Sequence, residues 1–171
     1  MNVPTPVLGE GVVISLLGGL SLQPAGAVGD DRRSAHSIRV GVDLVVVADV
    51  AESVDRLGDR YVQRIYTPHE IECCRSSDRT KEYAIESLAA RFAAKEAVLK
   101  VLRPRGTRPE WRSMEVHRHD DGWCEIRLSG CAATLASEGG ISEFAVSLTH
   151  ERAMAAAVVI ARCSFGDKRE G

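Results

Sequence analysis

The sequence predicts an α+β domain, one long central helix packed on antiparallel sheet. Three observations carry this prediction. A β-branched run occupies residues 38–47, a single extended helical segment fills residues 80–102, and the last third alternates short apolar runs with turn residues. Strands and helices therefore come in blocks rather than as repeated strand-helix-strand units. The 171 residues suit one domain, and no internal repeat divides them.

Residues 1–37 are expected to be a poorly ordered extension. The apolar stretch 12–22 lacks a basic flank, follows Glu10 directly and is broken by Gly18-Gly19, so it does not read as a signal peptide. It is also too short to span a bilayer as a helix. The domain proper is expected over residues 38–163, with 164–171 a flexible tail.

In the run 38–47, Ile38, Val40, Val42, Leu44 and Val46 share one face, and Arg39, Gly41, Asp43, Val45 and Val47 share the other. It reads as a central strand buried on both sides, with Asp43 the anomaly. Val50, Val54, Leu57, Tyr61 and Ile65 then form a helical stripe weakened at Gly58, and Arg56, Arg60 and Arg64 line up beside it as a basic ridge. Thr67-Pro68-His69-Glu70 is a helix start, with Thr67 as cap and Glu70 completing a capping box, so Glu70 reads as structural.

The long helix 80–102 stops before Pro104. Its stripe of Ile85, Leu88, Phe92, Glu96 and Leu99 puts Glu96 where a leucine belongs. A carboxylate there needs a cation beside it, either a lysine or a metal. Lys100, one turn on, is the local candidate. Ala89, Ala93 and Ala97 lie along a neighbouring face and would let a second backbone approach, from this chain or another. Residues 114–119 and 123–128 are expected to form a hairpin about Asp120-Asp121-Gly122. A short helix 132–137 ends at Gly139-Gly140, and strands 144–149 and 154–161 close the domain around a turn near Glu151-Arg152.

Charge narrows the partners. Lys plus Arg number 22 against 24 Asp plus Glu, so no global basic field holds nucleic acid, and no segment calls for a membrane. The five cysteines are odd in number and show no C-x-x-C spacing, which fits neither a disulfide framework nor a thiolate zinc site and suits a reducing cytoplasm. His117, His119 and Cys124 lack an evident fourth ligand and read as a polar hairpin face. Asp43 and Glu96, by contrast, are acids on two different elements at otherwise apolar positions. That is the arrangement needed for a hard divalent cation, and Mg²⁺ commonly takes one or two carboxylates together with phosphate oxygens and water. His150 ends the strand 144–149, where its ring can face a cleft.

The motifs Val40-Gly41-Val42-Asp43-Leu44-Val45, Ala90-Arg91-Phe92-Ala93-Ala94-Lys95-Glu96-Ala97 and Val146-Ser147-Leu148-Thr149-His150, with Tyr66-Thr67-Pro68-His69-Glu70 between the first two, resemble the holo-acyl-carrier-protein synthase family. These are 4′-phosphopantetheinyl transferases of the small single-domain bacterial type. The resemblance spans residues 40–161 and implies the fold of that family. It also implies transfer of the phosphopantetheine arm of coenzyme A to a serine of an apo acyl carrier protein, with Mg²⁺ on the diphosphate and release of adenosine 3′,5′-bisphosphate.

By the same resemblance Asp43 and Glu96 are metal ligands, Glu96 and Lys100 act in catalysis, and Arg91, Lys100 and His150 contact coenzyme A. A metal-bound water and Glu96 remain alternative bases for the carrier serine. The family implies a homotrimer with sites between subunits, a cytoplasmic setting and a place in fatty-acid synthesis. Polyketide or peptide carriers are open alternatives.

Two departures stand out. Where relatives carry a glutamate and an arginine three and six residues after the motif aspartate, this chain has Val46 and Asp49, so the ridge Arg56, Arg60, Arg64 is expected to dock the carrier instead. Where relatives carry a glycine-rich segment after the long helix, this chain has the basic stretch Arg103-Pro104-Arg105-Gly106-Thr107-Arg108-Pro109. The competing readings are a non-catalytic homologue that binds carrier or coenzyme A and, less favoured, a metal-dependent nuclease.

Overall fold

The β-branched run forms a strand, and small residues let a helix lie flat across its inner face. The computed structural model describes residues 36–106 and 108–164. Apart from His36 and Ser37, which open the first strand, the expected extension lies outside the described residues, as does the tail beyond Ser164.

The strands are β1 (His36–Val46), β2 (Met114–Arg118), β3 (Cys124–Leu128), β4 (Ile141–Glu151) and β5 (Met154–Ser164). The helices are α1 (Val47–Leu57), α2 (Asp59–Ile65), α3 (Pro68–Cys73), α4 (Ile85–Leu102) and α5 (Gly130–Glu138), with a 3₁₀ turn at Trp111–Ser113. One sheet has the order β1-β5-β4, antiparallel throughout, and β2 and β3 form a separate hairpin. The element order agrees with the expected α+β domain. Among the described residues no helix is long and apolar enough to cross a membrane.

The sheet order corrects the reading of β1 as a central strand, because β5 holds that place and β1 is an edge. Among the described residues only one face of β1 is covered. Gly41 and Val45 face inward with Ala155, Ala157, Val159 and Ala161 of β5, whereas Ile38, Val40, Val42, Leu44 and Val46 are exposed. An apolar run reads the same whether its second face is covered by this chain or by something else.

α4 crosses the inner face of the sheet and is buried on nearly every side. Ala89, Ala93 and Ala97 are fully buried within the protomer, which settles their packing as internal. α4 starts five residues later than the spacing suggested, at Ile85 instead of 80. The preceding segment pairs Arg75 with Tyr83 and turns at Asp78, whose carboxylate accepts from the Thr80 amide at 3.0 Å. Gly58, at φ 55°, splits the expected long stripe into α1 and α2. Arg39 donates to the Val101 and Gly139 carbonyls, each at 3.2 Å, and so ties the ends of α4 and α5 to the sheet.

Candidate active site

Gly41 brings β1 against α4. A Cβ at this position would overlap the Ala97 carbonyl oxygen and sit 2.9 Å from its carbon, so the approach requires glycine. Two residues on, and on the same face, Asp43 reaches the helix. Its Oδ1 accepts from Lys100 Nζ at 3.0 Å, and Lys100 also donates to the Val42 carbonyl. Glu96 lies one turn before Lys100. Its Oε2 accepts from the Arg108 guanidinium at 2.7 Å. Asp43 and Lys100 thus meet at one junction of β1 and α4, with Glu96 one helical turn before Lys100. The Glu96 and Lys100 side chains are not paired with each other: each acid has its own cation. The side chains of Asp43 and Glu96 are 18% and 25% exposed, so both are within reach of solvent and substrate.

Among the described residues the buried carboxylate is Glu70 rather than Glu96. Glu70 Oε2 lies 2.8 Å from Lys95 Nζ, with both side chains at 0% exposure. Lys95 also donates to the carbonyls of Trp111 at 3.0 Å and Met114 at 2.7 Å. Glu70 accepts from the amides of Thr67 at 2.8 Å and Val116 at 2.9 Å. The capping box at Thr67 is present as expected, and the same glutamate is also the counter-ion of the long helix. Burial pushes the Lys95 ammonium below its usual value, and the Glu70 charge opposes that shift. No sequence signal linked the two, because the capping box accounted for Glu70 and the helical stripe drew attention to the residue next to Lys95.

Arg91 and His150 are not brought to this junction within the protomer. Arg91 is nine residues before Lys100, about 180° around the helix. It is 4% exposed and donates to the Ser87 carbonyl at 3.3 Å. Its charge faces the Cys74 and Cys124 thiols, which burial nevertheless pushes up, that of Cys74 to about 12. His150 is exposed near the end of β4, in register with Ala155, on the edge of the sheet opposite β1.

The segment after α4 completes the site. Arg108 stacks over the Trp111 ring at 4.6 Å, and Trp111 packs on Phe92 at 5.1 Å between ring centres. Arg108 also lines a cavity of about 690 Å³ together with Thr67, Arg112, Ser113, Glu115 and Ser129. Sequence reasoning noted the basic stretch but not that Arg108 holds Glu96.

Residues 39–158 match the 4′-phosphopantetheinyl transferase superfamily. The chain belongs to that family. The holo-[acyl-carrier-protein] synthase of Halothermothrix orenii is 36% identical over 121 residues, 71% of this chain and 94% of that protein. The acyl carrier protein synthase structure of Mycobacterium tuberculosis is 37% identical, covers 71% of this chain and 94% of its own, and superposes with a TM-score of 0.56. The Helicobacter pylori holo-[acyl-carrier-protein] synthase, solved in complex with coenzyme A, is 25% identical, covers 71% of this chain and 98% of its own, and gives a TM-score of 0.60. This phosphopantetheinyl transferase is therefore an enzyme of the holo-[acyl-carrier-protein] synthase type, and that type implies phosphopantetheine transfer from coenzyme A to acyl carrier protein.

Proposed function

We propose that the junction of β1 and α4 is the catalytic centre, where Asp43 and Glu96 hold Mg²⁺ on the diphosphate of coenzyme A. The observation that carries this reading is that Lys100 binds Asp43 to α4 one helical turn from Glu96, and that each acid has a cation against it: Lys100 on Asp43 and Arg108 on Glu96. Two carboxylates are a hard oxygen donor set of the kind Mg²⁺ uses together with phosphate oxygens and water. When bound, the ion supplies neutralisation of charge on the diphosphate.

The chain's own residues orient the reaction. Lys100 presents a compact ammonium at the mouth of the junction, suited to an oxygen of the diphosphate. The carrier serine oxygen bonds to the phosphorus that bears the pantetheine arm as its hydroxyl proton passes to Glu96 or to water, the bond from that phosphorus to the bridging oxygen breaks, and adenosine 3′,5′-bisphosphate leaves. Positioning and charge stabilisation are the main tasks in such a transfer.

His150, remote from the junction within one protomer, fits as a coenzyme A phosphate contact supplied by a neighbouring subunit. The exposed apolar face of β1 and β5 supports a homotrimer, because the described residues of one protomer leave it open to water. Arg56, Arg60 and Arg64 are exposed on α1 and α2 and form the surface proposed to dock an acidic carrier. Five free cysteines support a reducing cytoplasm, and the carrier of fatty-acid synthesis is the first substrate to test.

The full chain, incubated with Mg²⁺, coenzyme A and an apo acyl carrier protein, should yield carrier heavier by one phosphopantetheine in mass spectrometry. Asp43→Ala and Glu96→Ala should each remove that product while retaining the wild-type circular dichroism spectrum. Full activity in either variant would overturn the metal assignment.

A further inference from the structure

We infer that Arg108 is an exchangeable counter-ion: it holds Glu96 in the absence of substrate and passes to a phosphate oxygen of coenzyme A when Glu96 takes the metal. This rests on the reading of Asp43 and Glu96 as metal ligands. The starting contact is short, 2.7 Å from guanidinium to Glu96 Oε2, yet the arginine side chain is 54% exposed. A pair this open to water is weak enough to exchange. While it persists, a permanent positive charge sits on the carboxylate that a divalent cation needs, so arginine and metal compete for one ligand.

Arg108 does not depend on Glu96 to stay at the site. Its guanidinium lies 4.6 Å from the Trp111 ring centre, and the tryptophan is fixed on both sides. The Trp111 ring packs on Phe92, and its carbonyl accepts from the buried Lys95 at 3.0 Å. Released from the carboxylate, the arginine remains over this platform, on the wall of a cavity lined also by Arg112, Glu110, Glu115, Ser113 and Ser129. A guanidinium matches phosphate oxygens in a two-pronged geometry that an ammonium lacks, which suits it to the second partner.

Direct binding of Mn²⁺ to the full chain, followed by electron paramagnetic resonance without coenzyme A, separates the two halves of the exchange. Arg108→Gln removes the competitor and should tighten Mn²⁺ about two- to fivefold, the range expected for an exposed ion pair. In steady-state assays the same variant should raise the KM for coenzyme A about tenfold, as loss of a charge-assisted bond to phosphate requires. Arg108→Lys keeps the charge and should bind Mn²⁺ as the wild type does, while still showing a raised KM. Unchanged Mn²⁺ affinity in Arg108→Gln, or an unchanged KM, would overturn the exchange. Glu96→Gln separates the levels: if it too keeps wild-type Mn²⁺ affinity, the metal assignment falls and this inference with it. If it loses Mn²⁺ while Arg108→Gln gains nothing, the exchange alone falls.

Discussion

Lys95 reaches Glu70, the Trp111 carbonyl and the Met114 carbonyl, so one ammonium joins α4 to the start of α3 and to the segment that enters β2. Lys95→Met would leave the Glu70 charge buried without its counter-ion, and breaking a buried pair from one side costs about 3–5 kcal/mol. A large fall in the thermal midpoint at fixed protein concentration is expected. The double variant Glu70→Gln, Lys95→Met buries no charge and should recover a large part of it. Equal midpoints for single and double variants would mean that the lysine acts through packing alone. Asp43 and Glu96 were legible in the sequence because each interrupts an apolar pattern. The Glu70–Lys95 pair was not. Stripe reasoning assumes a helix with one buried side, whereas the alanines of α4 let neighbours close around it, so Lys95 is buried and Glu96 is not. Arg108 was legible as part of a basic stretch, but which carboxylate it meets depends on how the chain turns after Arg103, at φ 52°.

Between residues and the whole protein, the break at Gly58 decides how the basic ridge is presented. Arg56 belongs to α1, while Arg60 and Arg64 share a face of α2, so the four-residue line foreseen from spacing is carried by two helices. The exposed surface of α1 also bears Asp49, Glu52 and Asp55, like in sign to an acidic carrier. Recognition should then rest chiefly on α2. Arg60→Glu with Arg64→Glu should raise the KM for carrier about tenfold or more, since like charges across an interface cost several kcal/mol. The KM for coenzyme A should stay within about twofold, because Arg60 and Arg64 lie outside the β1 and α4 junction. An unchanged KM for carrier would reject α2 as the docking surface. The strands, the hairpin and the capping box were legible because turn residues and alternation are local signals. The late start of α4 was not, since residues 80–84 have helical spacing but are held in the turn paired through Arg75 and Tyr83.

At the scale of the molecule, the outer sheet face of β1 and β5 is left open by the described residues of one protomer. Leu44 is 64% exposed and Ile38 55%, with Val40, Val42, Val46, Val158 and Ile160 also open, on a sheet whose other face packs on α4. A contiguous apolar surface of this kind marks an interface, and a rotationally closed ring of identical chains would cover it without leaving a free copy at either end. Val42→Glu with Leu44→Glu places charge in the middle of that face and should convert a trimer to monomer in light scattering. Wild-type chain that is itself monomeric at micromolar concentration would remove the trimer from the proposal. The same sheet also bears on catalysis, since Asp43 lies on β1 and His150 on the far edge strand. If the centre is completed across subunits, Glu96→Ala and His150→Ala chains, each impaired alone, should regain activity when dissociated together and reassembled. Random assortment rebuilds about a quarter of the sites. Recovery to that level requires His150 to act in a neighbour's centre, whereas mixtures no more active than the average of the two variants would confine it to its own chain.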